Sequence, residues 1–301
     1  MIASTFTTDS HDDFALAVHA GAGPRRLPIR DPGRYHQVLA DALAAGALVL
    51  ESGGAAADAV CAAVTVLEDS ELFNAAHGAA LTADRRAELD AAFMTGSGES
   101  GGVIGSRTIR NPIKAAREVA RRTAHVLLID PPRTVLDSWG IDIADPEYFV
   151  TAHRLEELLQ VQAATLEPQL HGTVGAVARD LHGELAAATS TGGMTNQQPG
   201  RVGDAALIGA GTFADNKTAA ISCTGTGEQF IRTVAAHDVH SRLAYLGVDL
   251  ETAVAGALDA VAAIDGQGGM IAAGRENLVI GFNSTAMFYG YLDNGRPVTH
   301  V

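Results

Sequence analysis

The sequence predicts an α+β protein in which two stacked, largely antiparallel sheets are covered by helices on their outer faces. Short stretches of alternating apolar and polar residues, typical of strands, occur in groups, and longer helical patterns separate these groups. Strands and helices therefore do not alternate regularly, as they would in a parallel βαβ protein. The 301 residues are 47% hydrophobic and 19% charged, so the chain can bury a large core in one large domain or two smaller ones.

The first half of the chain opens with a predicted strand at Phe14–Val18, followed by a turn at His19–Gly23. One helix is predicted from Asp31-Pro32 to about Ser52, before Gly53-Gly54, and another from Ala55 to about Asp69. Four further stretches are predicted as strands: Ala79–Thr82, Ala87–Met94, Gly102–Thr108 and Val126–Ile129.

Two more helices are predicted before the midpoint of the chain. A basic amphipathic helix begins at Asn111-Pro112 and runs to about Arg122. The next runs from Pro146 to about Leu166, and the helical pattern stops at Pro168. Its solvent-exposed face is expected to carry three charged residues: Arg154, Glu156 and Glu157.

The second half of the chain begins abruptly at His171-Gly172-Thr173 with a predicted hairpin. Its strands are Thr173–Ala178 and Glu184–Thr189, joined by a polar turn. The remaining predicted elements are strands at Ala205–Gly209, Thr218–Cys223, Glu276–Phe282 and Ala286–Leu292, and helices at Glu228–Leu246 and Leu250–Ile264.

Composition excludes several classes of function. The formal net charge of −14 argues against a nucleic-acid partner, because phosphate binding requires a cationic face. No apolar run approaches the roughly 18 residues needed to span a bilayer. The N-terminus lacks the basic and apolar regions of a secretory signal, so the cytoplasm is the expected compartment. Two cysteines, Cys61 and Cys223, cannot form a disulfide framework and are expected to be buried structural thiols.

Threonines and glycines cluster in the second half, where strands are predicted to end: Thr173, Thr189-Ser190-Thr191 and Thr224–Gly227. A single threonine in a strand is ordinarily structural. Glycines beside several threonines favour a binding site, because they permit close approach of a ligand and leave backbone amides free to bind an anion. In the loop between them, Arg201 and Asp204 either hold the carboxylate and ammonium of one amino acid or form a surface ion pair.

The segment from His171 to Arg232 is very similar to the plant-type L-asparaginases, also called isoaspartyl or β-aspartyl peptidases, which are N-terminal nucleophile (Ntn) hydrolases. Its most specific parts are Gly-Thr-Val-Gly-Ala-Val, beginning at Gly172, and Ser-Thr-Gly-Gly-Met, beginning at Ser190. The resemblance extends over nearly the whole chain, through Val18–Gly23, Leu67–Ala75, Leu89–Ala91 and Arg110–Pro112. It implies one Ntn-hydrolase domain over residues 1–301, with a four-layer αββα sandwich.

The resemblance also implies a precursor that cleaves itself between Gly172 and Thr173, giving an α-chain of residues 1–172 and a β-chain of residues 173–301. Thr173 would then attack the side-chain amide of asparagine or of an isoaspartyl peptide, and the product would be L-aspartate. Cleavage must come first, because an N-terminal α-amine, with a reference pKa of about 7.7–8.0, can accept the hydroxyl proton and an amide nitrogen cannot.

The family's remaining site residues map onto matching positions of this sequence. Thr191 resembles the threonine that orients the nucleophile, and Asn74 resembles a residue close to it. Arg201 would bind the substrate carboxylate by a two-pronged pairing, and Asp204 would bind its amine. The oxyanion hole and the pocket for the amine would be formed by three residues: Thr224, Gly225 and Gly227.

No cofactor is implied for catalysis, but the resemblance implies a structural sodium ion. Backbone carbonyls, which suit a hard cation, would hold it. They belong to a loop containing Leu67, Glu68, Ser70, Phe73, Ala75 and His77. The expected partners are a small-molecule or dipeptide substrate and a second processed αβ unit in a homodimer. Neither His77 nor His171 is expected to be catalytic.

Three features depart from the family pattern. Ala20-Gly21 stands in place of paired glycines. Asn74-Ala75-Ala76-His77-Gly78 stands where the family has Asn-Ala-Gly before the loop glycine, and the segment before Gly172 is short. A Cβ at Ala20 or Ala76 is expected to tighten a turn that depends on glycine, which bears on the efficiency of self-cleavage.

Three other functions are compatible with parts of the sequence. The sequence around Gly225–Gly227 resembles the strand and glycine-rich loop of a dinucleotide-binding motif. Phe230 stands in place of the motif's third glycine, and no acidic residue ends a following strand, so nucleotide binding is not favoured. Glycosylasparaginases favour Asp before the nucleophile, where this chain has Gly172. A non-catalytic relative acting as a binding scaffold would not need the complete set Thr173, Thr191, Arg201, Asp204 and Thr224.

Overall fold

The computed structural model describes residues 4–9, 14–23, 31–164 and 172–301. Within these ranges two sheets lie face to face and helices cover the outer face of each, which confirms the predicted α+β sandwich. None of the described helices is both long enough and apolar enough to cross a bilayer.

The described strands form an eight-stranded and a five-stranded sheet. Their bounds are β1 Ser4–Asp9, β2 Ala15–Gly23, β3 Leu89–Thr95, β4 Ser100–Ser106, β5 Leu127–Ile129, β6 Val174–Arg179, β7 Leu185–Thr191, β8 Thr212–Ala214, β9 Ala220–Gly225, β10 Gly268–Ala273, β11 Asn277–Phe282, β12 Ala286–Asp293 and β13 Arg296–His300. The larger sheet has the order β13-β12-β2-β6-β7-β3-β4-β5, and the smaller has the order β1-β11-β10-β9-β8. Every described pair is antiparallel except β4 with β5, at one edge of the larger sheet.

The described α-helices fall into two groups on opposite sides of the sandwich. Their bounds are α1 Pro32–Glu51, α2 Ala56–Glu68, α3 Pro112–Arg122, α4 Arg133–Trp139, α5 Ala152–Gln162, α6 Gly227–Thr233, α7 Ala235–Ser241 and α8 Leu250–Ala262. Helices α1 to α3 pack on the larger sheet, and α6 to α8 pack on the smaller.

The core consists of three apolar interfaces, as four layers require. Alternation along β2 shows how one strand serves two of them: Leu16 and Val18 face the helices, whereas Ala15 and Ala17 face the smaller sheet. Ala17 lies in the inter-sheet core together with the branched side chain of Ile271. Both sheets contribute alanines and branched residues to this core, and the small alanines allow the sheets to pack closely.

Several predicted elements are wrong, because glycines were taken to indicate a turn and short apolar runs to indicate strands. His19–Gly23 is not a turn but the second half of β2, where Gly23 pairs with Ala286 of β12. Ala79–Thr82 is not a strand, since only Thr82 makes an isolated bridge, to Gln197. Ala205–Gly209 is also not a strand, and the chain turns there through the hydrogen bond from Leu207 N–H to the Asp204 carbonyl. Five elements were not predicted: β1, β8, β10, β13 and α4.

Two predicted helices are divided by local backbone features. The one expected from Pro146 becomes a 3₁₀ turn at Pro146–Phe149 and then α5, because the Thr151 side chain accepts a hydrogen bond from Arg154 N–H and begins a new helix. Its predicted end near Leu166, the stop at Pro168 and the short segment before Gly172 lie outside the described residues. The helix expected at Glu228–Leu246 is interrupted at Val234, which has a φ of +50°, and ends in a π-helical turn at Arg242–Leu246.

The prediction of a charged, solvent-exposed face on α5 is wrong for two of its three residues. Arg154 and Glu157 are buried, and Nη1 of Arg154 donates to Oε2 of Glu157 at 2.8 Å. Arg154 also donates to the Gly78 carbonyl at 2.6 Å, and Glu157 accepts from Thr195 Oγ1 at 2.9 Å. Only Glu156 is exposed. The ion pair therefore ties α5 to the loop after α2 and to the loop after β7.

We predict that Glu157→Ala lowers the free energy of unfolding by about 3–5 kcal/mol, because Arg154 is left buried without its counter-ion. The matched control is Glu156→Ala, one residue away and exposed, which should change stability by no more than about 0.5 kcal/mol. Denaturant unfolding of both variants measures the difference. Equal effects would contradict a buried pair.

Candidate active site

Thr173 and Thr191 are brought together by the β6–β7 hairpin. Val174 pairs with Ser190, so Thr173, just before β6, lies level with Thr191, the last residue of β7. Both side chains are buried, and Thr173 Oγ1 donates to Thr191 Oγ1 at 3.1 Å. Thr191 Oγ1 also accepts from Gly193 N–H at 3.1 Å. These hydrogen bonds fix the direction of the Thr173 hydroxyl.

The bond between Gly172 and Thr173 is held next to Asn74. The Gly172 carbonyl accepts a hydrogen bond from Asn74 N–H at 3.2 Å. The Asn74 side chain donates to the Gly193 carbonyl at 2.6 Å and accepts from Ala80 N–H at 2.7 Å, so this residue connects the loop after α2 to the end of the hairpin. A Cβ on Gly172 would lie 2.1 Å from the Asn74 Cβ, and only glycine fits there.

The two alanines that replace family glycines have different backbone conformations. Ala20 lies in β2 without a positive φ, so its Cβ causes no strain of this kind. Ala76 has a φ of +42°, a conformation that costs an L-residue about 1–2 kcal/mol. Gly21, which follows Ala20, cannot be replaced, since a Cβ there would lie 2.9 Å from the Gly172 Cα. Of the two departures, only Ala76 strains the backbone.

Thr224 and Gly225 come from the smaller sheet and lie at the same end of the sandwich. Asn216, in the turn before β9, accepts from Leu185 N–H at the start of β7, and Ser222 lies against Thr189. The strand β9 therefore runs toward the Thr191 end of β7. The Thr224 Oγ1 is buried and has no hydrogen-bond partner in the described part of the chain. An unpaired buried hydroxyl costs about 1–3 kcal/mol, and it is available as a donor to a bound oxygen.

Arg201 is paired with Glu228, a partner that the sequence did not suggest. Its Nε donates to Glu228 Oε1 at 2.8 Å and its Nη2 to Oε2 at 3.1 Å, whereas Nη1 makes a longer contact of 3.3 Å with Gln197 Oε1. A surface ion pair between Arg201 and Asp204 is therefore wrong. The signal for this pairing was an acidic residue directly after Gly227, in the first turn of α6.

Asp204 is buried beside this pair, and its Oδ2 has no hydrogen-bond partner among the described residues. Burial raises the pKa of Asp204 to about 7, although the nearby Arg201 opposes the shift. At Gly227 a Cβ would lie 2.9 Å from Asp204 Oδ1 and 3.0 Å from Arg201 Nη2. A carboxylate and a guanidinium thus flank Gly227, where a side chain would crowd both of them, and this arrangement suits a ligand carrying both an ammonium and a carboxylate.

Asp90 supports this part of the site, although sequence reasoning did not select it. Its Oδ2 accepts from Gly203 N–H at 3.4 Å and its Oδ1 from Gly105 N–H at 2.8 Å. Asp90 also pairs with Thr191 in the sheet. It therefore connects the strand of Thr191 to the residue that precedes Asp204.

The predicted sodium loop follows α2. The carbonyls of Leu67, Phe73 and Ala75 accept backbone N–H groups within the loop, and each keeps a second lone pair. A Cβ on Gly78 would lie 2.1 Å from the Phe73 carbonyl oxygen, so carbonyls crowd around this glycine. The described residues contain no cluster of three or more His, Cys, Asp or Glu that could hold a metal ion. Backbone oxygens fit a hard cation such as sodium.

Two side chains of this loop are used for packing. The Glu68 carboxyl is fully buried and accepts from Ser190 Oγ at 2.6 Å and from Ile113 N–H at 3.0 Å. Burial raises its pKa to about 8. The Nδ1 of His77 lies 2.9 Å from the Tyr148 carbonyl, which agrees with a structural histidine. His171 lies outside the described residues.

We predict that Asp204→Asn raises the free energy of unfolding at pH 8. The folded-state pKa of about 7 exceeds the unfolded value of about 3.9, so ionisation favours the unfolded chain and wild-type stability falls as pH rises between these values. Asparagine cannot ionise, and the gain at pH 8 should be on the order of a few kcal/mol and vanish near pH 4. The exposed Asp259→Asn is the control. A pH-independent difference for Asp204→Asn would contradict the buried, unpaired carboxyl.

Comparison with known proteins identifies the family to which the chain belongs. The family model described as asparaginase matches residues 12–300. The isoaspartyl peptidases of Salmonella typhimurium and Escherichia coli are 43% and 42% identical to the chain over 306 residues each, covering 95% of it and 97% and 95% of their own lengths. A probable isoaspartyl peptidase/L-asparaginase of Arabidopsis thaliana is 36% identical, covering 92% of this chain and 95% of its own. This chain belongs to the asparaginase family defined by that model, the plant-type L-asparaginases and isoaspartyl peptidases.

Proposed function

We propose that the chain cleaves itself between Gly172 and Thr173 and then hydrolyses L-asparagine, β-aspartyl (isoaspartyl) peptides or both to L-aspartate. The observation that carries the proposal is the buried Thr173 hydroxyl, oriented by Thr191 at 3.1 Å and directly adjoining the Gly172 carbonyl. The names of the relatives, isoaspartyl peptidase and L-asparaginase, support this class of substrate.

In the first reaction, Thr173 Oγ1 attacks the Gly172 carbonyl carbon. The C–N bond breaks, the threonine nitrogen takes up a proton, and an ester forms between Gly172 and Thr173. Water then hydrolyses this ester, which leaves a Gly172 carboxylate and a free Thr173 amine. The Asn74 N–H, at 3.2 Å from the Gly172 oxygen, is placed to stabilise negative charge on that oxygen.

In the second reaction, the freed amine accepts the Thr173 hydroxyl proton. The oxygen attacks the side-chain amide carbon of the substrate, and ammonia or a peptide amine leaves with a proton. Water hydrolyses the resulting acyl-enzyme to L-aspartate. The developing oxyanion is stabilised by the Thr224 hydroxyl and the Gly225 N–H, and one such donor is worth about 3–4 kcal/mol. The unpartnered state of Thr224 Oγ1 supports this role.

Arg201 and Asp204 bind the α-carboxylate and the α-amine. Glu228 occupies the Nε–Nη2 side of the guanidinium, so the substrate carboxylate binds along the Nη1–Nη2 edge, where Gln197 makes only a longer contact. Glu228 thereby aims this edge at the site. The ammonium of the substrate restores the ionised form of Asp204, which burial otherwise disfavours.

The same proposal includes a sodium ion as a structural element. The backbone carbonyls of the loop would hold it: Leu67, Glu68, Ser70, Phe73, Ala75 and His77. Two processed αβ units form a homodimer, and the cytoplasm is the compartment. The ion would support the conformation of the loop and would take no part in the reaction.

We predict that Thr173→Ala remains a single uncleaved chain and hydrolyses neither asparagine nor an isoaspartyl dipeptide. The substitution removes the attacking oxygen with little change of volume, so thermal unfolding should show an intact fold. Thr173→Ser keeps an oxygen and should retain some cleavage and turnover, more slowly, because loss of the methyl frees χ1. Denaturing electrophoresis and product assays with both substrates measure these outcomes.

An active Thr173→Ala variant would contradict the proposed nucleophile. A folded wild-type chain that stays whole and inactive under all conditions would instead indicate a non-catalytic binding protein.

A further inference from the structure

A second layer of polar side chains lies behind the proposed catalytic residues, between the two sheets. We call these four residues the inter-sheet hydroxyl network: His19, Thr189, Thr212 and Ser222. All four are 0% exposed. The His19 Nε2 lies 2.9 Å from Ser222 Oγ, Ser222 Oγ lies 2.7 Å from Thr189 Oγ1, and Thr212 Oγ1 lies 2.6 Å from Thr189 Oγ1.

The network crosses from one sheet to the other. His19 in β2 and Thr189 in β7 belong to the larger sheet, and Ser222 in β9 and Thr212 in β8 belong to the smaller. Elsewhere this interface is mainly apolar, and apolar side chains pack without directional preference. Hydrogen bonds between hydroxyls are directional, so they fix the position of one sheet relative to the other at this point.

Members of the network stand directly behind residues of the candidate active site. Thr189 and Ser222 each precede a site residue by two positions in the same strand, and therefore share its face: Thr191 and Thr224. Thr212 Oγ1 also contacts the Ala205 carbonyl at 3.0 Å, next to Asp204.

The space for the network depends on Gly175, two residues after the proposed nucleophile. A Cβ at Gly175 would lie 2.0 Å from Ser222 Oγ and 2.4 Å from His19 Nε2. Burial lowers the pKa of His19 to about 3, although the Thr173 backbone opposes the shift, so the ring is neutral near neutral pH. The network therefore introduces no charge between the sheets, and His19 is unsuited to be a base.

We propose that the inter-sheet hydroxyl network is a positioning device. It sets the distance from the nucleophile, just before β6 of the larger sheet, to the oxyanion-binding Thr224 on the smaller sheet and to the amine-binding Asp204 in the loop between β7 and β8. This inference rests on the proposed function, since it acts through Thr173, Thr224 and Asp204. Its two arms have separable effects. The Thr189–Ser222 link sets the nucleophile against the oxyanion hole, and the link from Thr212 to Ala205 sets the position of Asp204.

The first test compares Thr189→Val, which keeps the shape but loses the hydroxyl, with Thr189→Ser, which keeps the hydroxyl but loses a methyl. A displacement of about 1 Å in a reacting group can cost on the order of 100-fold in rate. Thr189→Val should therefore lower kcat by about tenfold or more with little change in KM, whereas Thr189→Ser should retain most of kcat. Rates are expressed per chain with a free Thr173.

The matched control is Thr95→Val. Thr95 is also buried and hydrogen-bonded, with its Oγ1 3.0 Å from Ser97 Oγ, but it pairs with Ala186 at the far end of the same sheet. The Thr95→Val variant should have a lower free energy of unfolding but an unchanged kcat, measured at a temperature well below its Tm. Equal loss of kcat in Thr95→Val and Thr189→Val would show that the network only supports the fold. A higher kcat in Thr189→Val than in Thr189→Ser would show the same.

The second test is Thr212→Val, which should raise KM by about tenfold or more with a smaller effect on kcat, because it releases the carbonyl next to Asp204. An unchanged KM would overturn this arm of the proposal. Wild type is assayed in parallel: if it neither cleaves nor turns over substrate, the proposed function fails, whereas an active wild type with unaffected variants refutes only the network.

Discussion

The hydrogen bond from Thr173 to Thr191 requires two strands of one hairpin to end level with each other. Many features of this end of the molecule follow from that requirement. The register of β6 and β7 sets the level, Gly193 supports Thr191 from beyond the strand, and Asn74 holds the residue that precedes Thr173. A shift of one residue in the pairing of β6 with β7 would put the two hydroxyls on opposite faces of the sheet. The geometry of the candidate site is therefore fixed by strand pairing, which a buried core makes costly to alter.

The site concentrates polar groups that are buried and incompletely paired. Thr224 Oγ1 and Asp204 Oδ2 lack hydrogen-bond partners within the described ranges, and burial shifts the pKa of Asp204 upward. Each of these features opposes folding, and each matches a group that the proposed substrate presents: an oxyanion in the transition state or an ammonium. Arg201 is different, because Glu228 already satisfies one side of its guanidinium. The chain thus holds the arginine rigid and leaves the carboxyl and the hydroxyl to be satisfied by the ligand.

Much of the fold was predictable from periodicity, and the errors have common physical causes. The helices α1, α2 and α3 match their predictions closely, because prolines marked the start of α1 and α3 and Gly53-Gly54 separated α1 from α2. The strand β10 begins with Gly268-Gly269 and was missed, and the continuation of β2 through Gly21 was taken for a turn. Both strands tolerate glycine because neighbouring strands, not local propensity, hold them.

The candidate site was predictable residue by residue only through the family resemblance. Spacing alone suggested Arg201 and Asp204 as partners, but it could not reveal that Glu228 takes the arginine. Buried hydroxyls between the sheets look like surface residues in the sequence, since their partners are distant along the chain. Thr189 and Thr212, for instance, are 23 residues apart and 2.6 Å from each other. The same holds for the Gly78 carbonyl and the Thr195 hydroxyl, which complete the buried pair on α5.

The central claim is that Thr173 becomes active only when its amine is freed, and a time course of one preparation tests this most directly. Intact mass measures the fraction of chains cut between Gly172 and Thr173 while substrate hydrolysis is measured in the same samples. Activity should rise in proportion to the fraction whose second fragment begins Thr173-Val174-Gly175, and it should extrapolate to zero for the uncut chain. Hydrolysis at full rate by chains that remain intact, or a cut at any other bond accompanied by activity, would contradict the account.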